Sequence, residues 1–379
     1  MNNGKNGPFF IGGEIFREAA YGSNHPLTIP RVETVMDLCR SLGWLKQDNF
    51  QKSPKASRDD LLSFHSVDYI NAVKRSSNAQ TVDAGTKLKH DLGTLENPIF
   101  PNLFDRATTS AGGTLSAVDL VINGGIAVNF PGGTHHAKSD RASGFCYFND
   151  AVLAIRKAQS SGIERIFYLD LDAHHGDGVE EAFKDDENVF TLSLHEENRW
   201  PYSGGEVFGG SISAMNLAVP AGFNDSEFEY LIANVVHPTI AKFSPDLLLI
   251  NCGADCLAGD PLSKMELSNA VLWQQIKELI THTSRTILVG GGGYNPWTVA
   301  RYWTGLWGVV SDRELPKFLP QDCLEILKAL ECDLIDEDDI QDDWITALVD
   351  MPNSGSVRGE VKTLAHAAST ELLTTRKIA

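Results

Sequence analysis

The segment Asp170-Leu171-Asp172-Ala173-His174-His175-Gly176-Asp177-Gly178 packs three acids and two imidazoles directly after the apolar run 165–169. Strand alternation sends Asp170, Asp172 and His174 to one face and Leu171 and Ala173 to the other. An Asp and a His two residues apart on one edge supply half of a divalent metal site.

The elements that must position such residues are legible as short, branched, apolar runs at 126–130, 166–169, 189–194, 247–250 and 286–289. They read as buried parallel strands. Helical stretches at 104–122, 149–160, 226–242, 263–281 and 296–309 lie between them. This alternation predicts an α/β fold: a single-domain, doubly wound, mainly parallel sheet flanked by helices on both faces. No linker divides the chain, so 1–379 is expected to be one domain, helix-rich before about 126 and with a loose end after about 350.

Ligands of open α/β sheets sit beyond the carboxyl ends of the strands. There the chain carries Pro131-Gly132-Gly133-Thr134-His135-His136, the acid–imidazole segment, Asn251-Cys252-Gly253-Ala254-Asp255, and four glycines followed by Tyr294. Asp172, His174 and Asp255 would make three protein ligands and leave zinc an open position. A metal held so lowers the pKa of a water toward about 7 and polarises a carbonyl. His135 or His136 can carry the proton and Tyr294 can donate to an oxyanion. Singly, an Asp at a strand end caps a helix, paired His is surface sequence, and four glycines make a turn. Their recurrence after consecutive strands of one sheet favours the chemistry.

With 32 basic and 50 acidic residues, a net charge of -18 and a pI near 5.0, the chain should repel nucleic-acid phosphate and attract cationic ligands. Six scattered cysteines indicate a reduced, cytoplasmic protein, and Cys252 and Cys256 lack the second pair of a structural zinc site. The sequence shows neither a signal-like start nor an apolar span of about 18 residues, so a soluble protein without membrane partners is expected. The acidic stretch 331–343 lacks calcium-loop spacing and reads as a solvated face.

The segments PGGTHHA, SGFCYFNDA, DLDAHHGDGVEEAF, SLH, CGAD and GGGGY resemble the zinc-dependent histone deacetylase family, of arginase-deacetylase fold. Residues 25–31, 64–70 and 96–100 join the resemblance. It implies that Asp172, His174 and Asp255 bind one zinc, and that His136 is general base and then acid. His135 would be its electrostatic partner, with Asp170 orienting His135 and Asp177 orienting His136. Tyr294 would stabilise the oxyanion, and Arg31 would line the exit route of the released acid. Gly144, Phe145 and Trp200 would wall an acyl-lysine tunnel, with Leu262 at its side and Glu96 at its rim. A potassium ion is implied at Asp170, Asp172, His174, Ser193 and Leu194. The implied activity is zinc-dependent deacylation of N-acyl-lysine or a similar N-acylated amine.

The departures from the family pattern sit at the tunnel and its mouth: Thr134 where a bulkier residue is usual, Trp200 for Phe, Glu96 for Asp. They bear on acyl-group and peptide preference. Leu262 stands where some polyamine-selective relatives carry an acid. Three alternatives compete: an acetylpolyamine or small-amide hydrolase, a two-manganese arginase-like ureohydrolase, and a non-catalytic acyl-lysine-binding scaffold. The arginase pattern needs acids where Gly176 and Leu257 stand, and the scaffold reading needs a lost catalytic residue.

Overall fold

The computed structural model describes residues 7–22, 25–208 and 213–374. The first six residues of the amino-terminal stretch, and the last five of the carboxy-terminal end expected to be loose, lie outside them.

Strands β1 (Phe9–Gly12), β2 (Phe50–Lys52), β3 (Gly125–Asn129), β4 (Ile166–Asp170), β5 (Val189–Glu196), β6 (Ala214–Val219), β7 (Leu247–Asn251) and β8 (Arg285–Val289) form one sheet. Their order is β2-β1-β3-β8-β7-β4-β5-β6, and every pairing between them is parallel. Apolar residues on both sides of each central strand explain why helices cover both faces. Phe167 and Leu169 of β4 enter one core while Ile166 and Tyr168 enter the other; β7 divides in the same way, with Leu248 and Ile250 opposed to Leu247 and Leu249. Helices Leu103–Val121 and Asp150–Ser160 close the second core, and Val32–Ser41, Asn269–Leu279 and Pro296–Val310 close the first.

The five expected strands form within about two residues of their expected ends. Three others do not follow from the sequence reading, and residues before 126 are not simply helix-rich: they supply β1 and β2, which build one edge of the sheet. Those two strands are only four and three residues long. At the other edge, the apolar run of β6 is broken by Asn216, whose side-chain amide donates to Glu180 at 2.8 Å. The helix expected at 226–242 is broken into Asp225–Leu231 and His237–Phe243 by a π-helical turn at Ile232–Val236. Pro238 has no N–H for the ladder and crowds the preceding turn. The helix expected at 263–281 begins only at Asn269, where the Ser268 hydroxyl accepts from Val271 N–H at 3.2 Å and caps it. Towards the carboxy terminus, helix Gly359–Thr374 places Val361, Ala365, Ala368 and Leu372 in the first core.

The registers align Asn129, Val289, Asn251, Asp170 and Ser193 in one row across β3, β8, β7, β4 and β5. From β4 the chain proceeds through β5 and β6 in one direction, while β7 and β8 lie on the other side. The loops after β4 and β7 therefore diverge around a crevice at the carboxyl edge. Among the described residues, no helix is long and apolar enough to cross a membrane.

Candidate active site

The loop after β3 is shaped by a carboxylate that is distant in the chain. Asp150, fully buried at the start of its helix, accepts from the Gly133 and Thr134 amides at 3.1 and 2.7 Å and from the Thr114 hydroxyl at 2.5 Å. Asn149 caps that helix and donates through Nδ2 to the His135 and Ala137 carbonyls at 3.0 Å each. The Asn-Asp pair of SGFCYFNDA thus aims the two adjacent histidines. Its pattern reads as an ordinary helix start, and no role for it follows from the sequence.

His135 and His136 each bring Nδ1 to a carboxylate oxygen at 2.7 Å, that of Asp170 and that of Asp177. Their surroundings differ. Burial would lower the pKa of His135, but Asp170 and then Asp172 outweigh it and push it up to about 9. For His136, burial and the neighbouring His135 win over Asp177 and pull it down to about 4. At neutral pH one imidazole holds a proton and the other is free to accept one. Asp170 itself receives the Tyr168 hydroxyl at 2.6 Å and Asn251 Nδ2 at 2.9 Å, partners that the sequence does not single out.

Asp172, His174 and Asp255 offer ligand atoms that all lie within 4.8 Å of one another, each residue being buried. Backbone amides fix both carboxylates: Gly292 N–H reaches Asp172 at 2.6 Å and Ala173 N–H reaches Asp255 at 2.9 Å. Gly292 must be glycine, because a Cβ there would lie 2.2 Å from Asp255 Oδ2. Burial, then the Asp172 charge, pushes the Asp255 carboxyl up, whereas the two carboxylates overcome burial and push His174 up to about 10. Two acids and an imidazole, excluded from water and without a lysine or arginine among their hydrogen-bond partners in the described residues, fit a divalent cation. The positions of the further arginase-type ligands hold Gly176 and the buried Leu257.

The Tyr294 ring packs 5.9 Å from Phe145 and 6.3 Å from His174. Its amide is held by Asp260 at 2.7 Å, and burial followed by the nearby acids keeps its hydroxyl protonated. Burial and Asp255 push the Asp260 carboxyl up to about 7. Arg31 donates to the Gly291 carbonyl at 2.9 Å and lies 5.2 Å over Trp303. One cavity is lined by Arg31, His135, His136, Gly144, Phe145, Asp172 and Tyr294. Trp200 stands edge-on to His136 at 4.7 Å, and a Cβ on Gly144 (φ +55) would meet both rings at 2.5 Å. Glu96 accepts from the Gly144 amide, so its carboxylate is tied to the wall of that cavity. Leu262, Trp200 and Glu96 are not in the lining of that cavity; the Leu262 carbonyl accepts from Arg199 at 2.7 Å. Ser193 faces Asp170 across β4 and β5 and shares its hydroxyl with His195 at 2.9 Å, and Leu194 is buried one residue further.

A doubly wound parallel sheet carrying a buried Asp-His-Asp set, two imidazole–carboxylate pairs and a phenol at its carboxyl edge has the layout of a hydrolase centre. The family model described as histone deacetylase domain matches residues 25–310, and the chain belongs to the histone deacetylase family. It is a hydrolase of the arginase-deacetylase fold. It is 34% identical over 298 residues to histone deacetylase 8 of Xenopus tropicalis, covering 76% of this chain and 80% of that protein. Identity to histone deacetylase 1 of Homo sapiens is 33% over 308 residues, covering 79% of this chain and 64% of the human protein. The crystal structure of an HDAC homolog from Aquifex aeolicus matches with a TM-score of 0.92 at 34% identity, covering 96% of this chain and 100% of that one. An HDAC homolog complexed with SAHA matches with a TM-score of 0.91 at the same identity and coverage.

Proposed function

We propose that this chain is a zinc-dependent deacetylase that removes an acyl group, acetyl first of all, from N-acyl-lysine or a similar N-acylated amine. The observation that carries the reading is the Asp172, His174 and Asp255 donor set beside the His136–Asp177 pair. Those three residues would hold one zinc. Bound there, it supplies a Lewis acid that polarises the acyl carbonyl and acidifies the attacking water. His136 accepts the water proton and returns it to the departing amine. His135, kept protonated by Asp170, balances the negative charge that develops beside it. The Tyr294 hydroxyl donates to the oxyanion.

Gly144, Phe145 and Trp200 enclose the aliphatic chain of the substrate and keep bulk water out, with Leu262 beside the mouth. Glu96 meets the substrate backbone with the oxygen that Gly144 leaves free, and Arg31 receives the released carboxylate. Oxygens of Asp170, Asp172, His174, Ser193 and Leu194, of which Asp170 and Ser193 are partners across β4 and β5, would make an all-oxygen set suited to potassium. Six free cysteines suit the reducing cytoplasm, and the net charge of -18 disfavours nucleic acid as a partner. That same charge favours acetylated polyamines as the second substrate class. A panel of acetyl-lysine peptides, longer acyl-lysines, acetylpolyamines and small anilides, compared by kcat/KM, decides between them. Acetyl-lysine peptides ranking first is the expected result, and polyamines ranking first would reassign the substrate.

A further inference from the structure

The two histidine–carboxylate pairs share a length, and one side chain separates their settings. Asp170 is held by the Tyr168 hydroxyl, Asn251 and the Asp172 amide, all of them neutral partners besides His135. Asp177 gives Oδ1 to His136 and Oδ2 to the Lys138 ammonium at 2.6 Å. Lys138 also meets Glu181 at 2.9 Å. The side chains of Lys138 and Asp177 are only 15% and 16% exposed, against 62% for Glu181, so the contact with Asp177 is the one shielded from water.

A carboxylate bonded through one oxygen can rotate and tilt its imidazole partner. Bonded through both, as Asp170 is by neutral groups and Asp177 is by Lys138, it has a fixed plane, and the ring it orients is fixed with it; the two pairs differ in the charge of the partner that does this. An ammonium on the second oxygen also takes up part of the charge that would otherwise strengthen the hold of His136 on a proton. Resting on the deacetylase reading above, we propose that Lys138 is a positioning residue: it clamps Asp177 against His136 and makes this pair, rather than His135 with Asp170, the one that exchanges protons. His136 is faced by Asp177 and, behind it, Lys138, by His135 and Asp172, and by His174 across the site. Of these, Lys138 and its tie to Glu181 can be changed without touching the proposed metal ligands or either histidine.

Lys138→Met should lower kcat roughly tenfold with little change in KM. It should also move the acid limb of kcat/KM to higher pH by about one unit, because a cation near His136 is lost. Lys138→Arg should restore most of both. Glu181→Gln removes a negative charge and leaves Lys138 wholly to Asp177, so its limb should move the other way. The ring titration of His136, followed by NMR in zinc-loaded protein labelled at histidine and assigned by its loss in His136→Gln, reads the same shifts without turnover. A Lys138→Met protein that melts lower but keeps the wild-type limb and ring titration would show a purely structural tie and overturn the proposal. Absence of deacetylase activity in the wild type would sink the functional reading instead, and the ring titration would still decide the part played by Lys138.

Discussion

His135 and His136 meet carboxylates at the same 2.7 Å, yet burial and surrounding charge put one well above neutral pH and the other well below it. Roles follow from that division. His136→Ala and Tyr294→Phe should each cut kcat/KM by roughly 10²–10⁴-fold, with circular dichroism and zinc content unchanged; undiminished activity in either would remove that residue from the mechanism. A base works when neutral, so a lowered His136 pKa places the acid limb of kcat/KM below the ordinary histidine value of 6.5. Asp177 raises that pKa, and Asp177→Asn should move the limb to still lower pH; a move upward would contradict the pairing. The histidines, the acids and Tyr294 could be read from the sequence because each follows an apolar strand directly. Asp150 and Asp260 could not, because each acts on a loop far away in the chain and looks locally like a helix start or a turn; Asn251 ends β7, and nothing in its own segment marks its bond to Asp170 on the neighbouring strand.

Single elements set how tightly these groups are held. Gly144 has φ +55, and a side chain there would strike His136 and Trp200. Gly144→Ala should therefore cost about 1–3 kcal/mol of stability and roughly 10–100-fold in kcat/KM, read from urea unfolding and from kinetics; wild-type values in both would mean the wall yields freely. Helix Gly359–Thr374 is anchored at its start by Arg358, whose guanidinium meets the fully buried Glu227 at 2.6 Å. Burial would raise the Glu227 pKa, but Arg358 outweighs it and the net shift is down. Such a group stabilises the fold above its unfolded pKa of about 4.3, and that contribution fades as pH falls below it. Arg358→Ala should cost about 2 kcal/mol at pH 7, discounted for the partial exposure of the arginine, and less near pH 3. An equal loss at both pH values would contradict this. The central strands were legible because they are apolar on both faces for four or five residues. β1 and β2 were not, because three or four residues at a sheet edge carry too little pattern, and the broken helix at 225–243 turns on one proline.

For the whole molecule, the acid surplus and the buried donor set point to cations of two kinds. A net charge of -18 should concentrate positively charged substrates at the surface. KM for a lysine-rich acetyl peptide should then rise with salt while that for a neutral acetyl anilide stays level; parallel behaviour would show that surface charge plays no part. Within the crevice, the carboxylates of Asp172 and Asp255 crowd one imidazole without a lysine or arginine among their hydrogen-bond partners in the described residues, so loaded protein should outlast metal-free protein on heating. The most direct test is to titrate zinc into the metal-free chain and measure acetate released from an acetyl-lysine peptide. Activity that rises from nothing to a plateau at one equivalent of zinc is the expected result. No acetate at any zinc level, or a plateau that needs two equivalents, would contradict the single-zinc deacetylase centre.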